Sequence, residues 1–154
     1  MSMTLKLCEL ISILLLTLVS GMYWGPWLAL TRSMNTFEPQ VFLAVVDRLN
    51  RNMAPLMTAL MPVALLSTVP VLLASYSDHP RTFILTLAAL LLFIVTLLVT
   101  VLIEVPIVKQ VVTWAPSTLP DNWKVLRDRW GAFHLARIVP SLVGLVLILI
   151  GAIF

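Results

Sequence analysis

Residues 82–105 carry no charge before Glu104, and three further stretches, about 7–28, 53–76 and 133–154, are nearly as apolar. Crossing a hydrocarbon layer of ~30 Å as a helix takes about 20 such residues. Backbone N–H and C=O groups cannot be left open in lipid, so runs of this length must be helical there. No alternating apolar and polar pattern competes. The chain is therefore expected to be all-α, a single four-span domain over residues 1–154. Its expected architecture is an antiparallel four-helix bundle in the membrane, and the lipid bilayer is its first partner.

Composition agrees. The chain is 60% hydrophobic and 11% charged over 154 residues, whereas a soluble domain is about half apolar and a quarter charged. A chain this short cannot hide that much apolar surface in a water-facing fold. The net charge of +3 is dispersed, with no dense basic patch, so nucleic acid is not an expected partner. One cysteine, Cys8, excludes an internal disulfide and a Cys-rich metal site. The first run lacks an A-x-A-like cleavage site and reads as a first transmembrane helix rather than a signal peptide.

The connections are unequal. "SYSDHPR" between the second and third spans is a tight turn, whereas residues 29–52 and 106–132 are long and polar. An even number of spans puts both termini on one face with the short turn. Arg32, Arg48, Arg51, Lys109, Lys124, Arg127 and Arg129 lie on the other face, against Lys6 and Arg81. The positive-inside rule then makes the long connections cytoplasmic, in the cell membrane. Within the first, Thr36 is placed to cap a helix opening at Glu38 and Pro39. Its apolar face of Phe42, Val45, Val46 and Leu49 predicts an amphipathic interfacial helix feeding the second span, with Asp47 and Arg51 as an i,i+4 pair. In the second, Pro120 and Asp121 mark the start of a helix that runs unbroken into the fourth span. Thr17, Gly21 and Gly25, spaced by four, fit close helix approach, or else chance in a helix rich in small residues. Glu9 reads most simply as the i,i+3 partner of Lys6.

The polar chemistry gathers on the face of the long connections. All five tryptophans fall there, which suggests an aromatic-lined pocket or, alternatively, a one-sided aromatic belt. Trp130, His134 and Arg137 follow i, i+4, i+7 spacing and share one helix face, with Arg127 a turn earlier. Counting back from Phe154 at ~1.5 Å per residue puts His134 about 30 Å away, at the near edge of the hydrocarbon. Glu104 reaches the same depth on the third span, and Asn50 and Arg51 at the start of the second. A polar pocket is expected there, with Glu104 paired to Arg137 or Arg51, because an unpaired buried charge is costly. His134 is the one nitrogen ligand on this face, and Glu104, Asp128 and His134 could hold a cation. No H-x-x-x-H or E-x-x-H spacing supports that use, so no metal or haem site is expected.

Three stretches carry a resemblance: "LNRNMAP", "IEVPIVKQ" and "DNWKVLRDRWGAFHLAR". Together they resemble the anthrone oxygenase-like family of small four-helix membrane proteins. The most specific part is W-x3-R-x-R-W-x3-H-x2-R, here Trp123, Arg127, Arg129, Trp130, His134 and Arg137, with Asn50, Pro55 and Pro106 also matching. One position departs: many members have asparagine two residues after the proline of the third span, where this chain has Val108. The resemblance implies oxidation of a hydrophobic phenolic, anthrone-like or quinol-like molecule, without a flavin or haem cofactor. In such chemistry His134 would be the base and Arg137 and Arg51 would stabilise the anion. Asn50 would donate a hydrogen bond, Trp123 and Trp130 would stack on the substrate, and Glu104 and Arg127 would complete the binding site. The alternative is a non-catalytic membrane subunit or lipid-binding protein whose Arg and Trp side chains grip headgroups. The reading leaves open a homo-oligomer or a place in a larger membrane complex.

Overall fold

A computed structural model describes residues 3–154. Helix α1 covers Met3–Ala29, α2 Pro39–Ser75, α3 Pro80–Val99, α4 Val105–Val111 and α5 Trp123–Ile153. A π-helical turn, Thr100–Glu104, joins α3 to α4, so the third span is one interrupted rod. Short 3-10 turns at Thr31–Thr36 and Pro116–Thr118 occupy the long connections. Four helical segments are long and apolar enough to cross a membrane, and the up-down-up-down bundle expected from the sequence is what forms.

Each expected span falls, to within one residue, inside a longer helical segment. The amphipathic stretch after Pro39 is the first part of α2, and no break separates it from the second span. Pro39 and Pro80 open α2 and α3, where a residue without an N–H loses no intrahelical bond. Thr36 does not cap α2. Its hydroxyl donates to the Ser33 carbonyl within the 3-10 turn, and Glu38 is the N-terminal flanking residue instead. Helix α5 starts at Trp123, just past Pro120 and Asp121, and continues through Pro140 to Ile153.

In the bundle α3 packs most extensively on α5 and α1 on α2, while α1–α5 and α2–α3 contacts close the ring. Leu16, Val19, Met61, Ala64, Ala89, Phe93, Ile138 and Ile148 form the central core. A second cluster, including Phe42, Val46, Ile107, Val111, Trp123 and Trp130, lies beneath the long connections. Leu14, Leu18, Leu66, Leu73, Leu91, Leu98 and Val146 point outward, as an apolar solvent requires.

With lipid outside, apolar burial alone gives little drive for helices to associate, so close packing and interhelical hydrogen bonds carry more of the association. Thr82 donates to the Gly151 carbonyl at 2.8 Å and Thr96 to the Arg137 carbonyl at 3.2 Å, tying α3 to α5 twice. Ser12 ties α1 to the Ser67 carbonyl of α2 at 2.6 Å. The close approach of α3 and α5 rests on Gly144, where a Cβ would stand 3.0 Å from two Phe93 ring carbons and 3.2 Å from the Ala89 carbonyl oxygen. Gly21 and Gly25 take no part in packing: a Cβ at either would meet nothing within 4 Å, and Thr17 is exposed. Their spacing serves no helix contact within this chain. Glu9 is turned inward and 3% exposed, with Oε1 accepting no protein hydrogen bond, and His79 and Lys6 are the cationic groups that act on it.

Candidate functional site

The site begins with Pro106. Proline has no N–H, so the α-helical bond back to Leu102 cannot form. One residue earlier the Val105 N–H reaches the Thr100 carbonyl instead, an i−5 bond that defines the π turn. The wider turn sets both Thr100 and Glu104 on the wall of a cavity between the helices, and Glu104 is 3% exposed.

Opposite Glu104, α5 presents Trp130, His134 and Arg137 on one face, as their spacing predicts. An Arg137 guanidinium nitrogen, Nη2, lies 3.0 Å from Glu104 Oε2, and the two side chains are 12% and 3% exposed. The same Nη2 is 2.7 Å from His134 Nδ1, and Nη1 donates to the Thr100 hydroxyl at 3.4 Å. The guanidinium also stacks over the Tyr23 ring, 4.6 Å from its centroid. His134 is held from the other side, with Nε2 3.0 Å from the Tyr23 backbone carbonyl on α1. Trp130 packs against the imidazole at a centroid distance of 5.7 Å. Three helices thus converge on one buried ion pair.

The cavity has a volume of ≈ 370 Å³, within the usual range for a small-molecule site. Glu104, His134 and Arg137 form its polar end, and apart from Tyr23, Asn50, Thr58 and Thr100 the remaining wall is apolar. Met22, Met53, Met57 and Met61 supply much of it, and methionine adapts its shape to flat or irregular ligands. Among the described residues, buried side-chain polar atoms without a protein partner include three on cavity residues, Glu104 Oε1, Trp130 Nε1 and Arg137 Nε, while the Tyr23 hydroxyl faces Thr100. Buried polar atoms are normally satisfied, so such a cluster marks a place where something else bonds.

The remaining expected site residues divide. Asn50 lines the cavity. Arg51 does not: its side chain is 74% exposed and pairs with Asp47 at 2.9 Å, the i,i+4 pair foreseen on that helix. Helix α2 at that level carries Asn50 inward, so the next residue points away. Trp123 and Arg127 are buried above the cavity and not on it. Arg127 stacks over Trp123 at 5.2 Å, pairs with Asp128 at 2.8 Å and donates to the Asn35 carbonyl at 3.4 Å. Trp123 in turn meets Phe42 at 5.7 Å. This pair fastens the first long connection to α5 and forms a roof. Of the five tryptophans, Trp130 is the one on the cavity wall, while Trp24 is exposed. Tyr23 and Thr100 were not anticipated. Tyr23 acts through its backbone carbonyl and ring, and Thr100 depends on the π turn, so neither leaves a recognisable spacing.

The profile of a family described as anthrone oxygenase matches residues 49–147. No curated protein and no solved structure matches the chain. The matched segment takes in Asn50, Glu104, Trp130, His134 and Arg137, while Tyr23 lies before it. With well over half its length matched and four apolar helices in a single bundle, this chain belongs to the anthrone oxygenase family.

Proposed function

We propose that this protein oxidises a hydrophobic phenolic, anthrone-like or quinol-like substrate with dioxygen, inside the membrane. The observation that carries this reading is the buried Glu104–Arg137 pair, braced by His134, at the end of a mostly apolar cavity. An electron-rich phenol with an acidic C–H becomes, on losing a proton, an enolate that reacts with dioxygen directly. Such a site needs a base, a cation for the resulting anion and a dry surrounding, since charge stabilisation is strongest where water is excluded. The cluster supplies the first two, and the methionine-rich wall supplies the third. Asn50 and Trp130 border the same space, where an amide and an unpartnered indole N–H are positioned to bond substrate oxygens.

The reaction balances with dioxygen as sole oxidant. A methylene carbon loses one proton, and the carbanion adds dioxygen to give a hydroperoxide anion, which is protonated. Loss of the second C–H proton then cleaves the O–O bond and expels hydroxide. The net change is R2CH2 + O2 → R2CO + H2O. Such a substrate would enter from the bilayer. Ala54, Thr58 and Val101 line the cavity and are exposed, so the cavity is accessible along the side formed by α2 and the third span.

In purified, detergent-solubilised protein, anthrone should drive oxygen uptake well above the protein-free rate. Saturable anthrone binding without uptake would leave a binding protein instead. By the positive-inside rule the cationic long connections favour a cytoplasmic position for the polar end of the cavity. A Ser117→Cys variant in intact cells should therefore resist an impermeant thiol reagent and react once the cells are opened. Labelling in intact cells would reverse the orientation.

A further inference from the structure

We infer that Glu104 Oε1 is the proton acceptor of this site and that His134 is a positioning residue. The inference rests on the proposed oxidation and assigns its protons.

The reasoning starts from hydrogen-bond polarity. A backbone carbonyl can only accept, so at 3.0 Å from the Tyr23 oxygen His134 Nε2 must carry the hydrogen. A guanidinium can only donate, so at 2.7 Å from Arg137 Nη2 His134 Nδ1 must be the bare nitrogen. Both ring nitrogens are therefore engaged, and the neighbours select the neutral Nε2–H tautomer. To take a proton, Nδ1 would have to give up the Arg137 bond and place a second cation against the guanidinium. The nearest carboxylate oxygen, Glu104 Oε2, is 3.7 Å from Nδ1 and is already bound to Arg137 at 3.0 Å.

Glu104 has the complementary arrangement. Arg137 holds Oε2 and thereby fixes the carboxylate plane, while Oε1 is buried, has no protein partner and belongs to a residue on the cavity wall. The titratable and charged groups facing it are Arg137 and His134 from α5 and Tyr23 from α1. None of them occupies Oε1. In the reaction Oε1 removes the first methylene proton, returns it to the hydroperoxide anion, removes the second and delivers it to the departing hydroxide. Arg137 stays protonated throughout and offsets the negative charge as it passes from carboxylate to enolate. His134 keeps Arg137 in place from behind and anchors it to α1 through Tyr23.

Glutamine separates the two roles. At position 134 its amide offers both a donor for the Tyr23 carbonyl and an acceptor for Arg137, but no proton-accepting nitrogen. At position 104 it keeps an acceptor for Arg137 and removes the base. The assay is exchange of the anthrone methylene hydrogens in D2O under argon, measured with oxygen uptake in parallel. A positioned base contributes about 100-fold or more to such a proton transfer. Glu104→Gln should lower protein-catalysed exchange by about that factor while eluting and showing helical circular dichroism like the wild type. His134→Gln should retain exchange to within about tenfold of wild type, and His134→Ala should fall well below it.

Undiminished exchange in Glu104→Gln would overturn the assignment, as would a loss in His134→Gln as deep as that in Glu104→Gln. Should Glu104→Gln fail to fold, a loss of about 100-fold in folded His134→Gln would still overturn the assignment. Wild-type exchange without oxygen uptake would remove the oxidase reading and leave the base assigned. Oxygen uptake without catalysed exchange would overturn the base alone.

Discussion

Replacing Arg137 with alanine should destabilise the folded protein by about 3–5 kcal/mol, the usual cost of stripping one partner from a buried ion pair. Glu104 would be left 3% exposed with its cation gone. The substitution also removes the bond to His134 Nδ1, the bond to the Thr100 hydroxyl and the stacking on Tyr23, so α1, α5 and the π turn lose a common tie. Thermal melting in mild detergent should show a large drop. The double variant Arg137→Met with Glu104→Leu should recover much of it, because an apolar pair of similar volume has no charge to desolvate. If Arg137→Ala alone melts like the wild type, the ion pair is not buried as described. Arg51→Ala, by contrast, breaks an exposed pair and should change stability by no more than about 0.5 kcal/mol.

Gly144→Val should be nearly as damaging, for a steric reason. Its Cβ would fall 3.0 Å from the Phe93 ring and 3.2 Å from the Ala89 backbone oxygen, and the ring is fully buried while the carbonyl cannot rotate away. Overpacking of this kind costs typically about 1–3 kcal/mol. Helices α3 and α5 would be pried apart, stretching the Thr82 and Thr96 bonds that join them. Phe93→Leu in the same chain should relieve part of the loss and leave the carbonyl contact. Gly21→Val, where a Cβ meets nothing within 4 Å, should be close to neutral. Equal melting losses at positions 21 and 144 would contradict the packing described. In a bundle whose outer surface is as apolar as its inside, composition cannot tell which glycine is packed.

That comparison also shows which features could be read from the chain and which could not. The spans were legible because length and hydropathy are one-dimensional properties. The inward stripe of Trp130, His134 and Arg137 was legible because helical periodicity converts spacing into a face. The Glu104–Arg137 pair followed from common depth on two spans together with the cost of an unpaired charge in lipid. Depth alone, however, does not give azimuth. Arg51 lies at the right level and points away, while Asn50 beside it faces the cavity. Trp123 and Arg127 share the stripe but sit beyond the cavity, where they roof it by holding Phe42 and Asn35. The π turn is a local backbone choice made next to Pro106, and it sets which residues of the third span look inward. The Tyr23 carbonyl that holds His134 is a main-chain group, which every residue possesses.

The most direct test of the proposed chemistry follows the oxygen atoms. Purified protein in detergent is supplied with anthrone under 18O2 in unlabelled water, and the product quinone is collected early and weighed by mass spectrometry. Direct reaction of an enolate with dioxygen, followed by loss of hydroxide, predicts one 18O atom in the new carbonyl and one O2 consumed per product. A new carbonyl carrying only 16O, or product formed no faster than without protein, would contradict it.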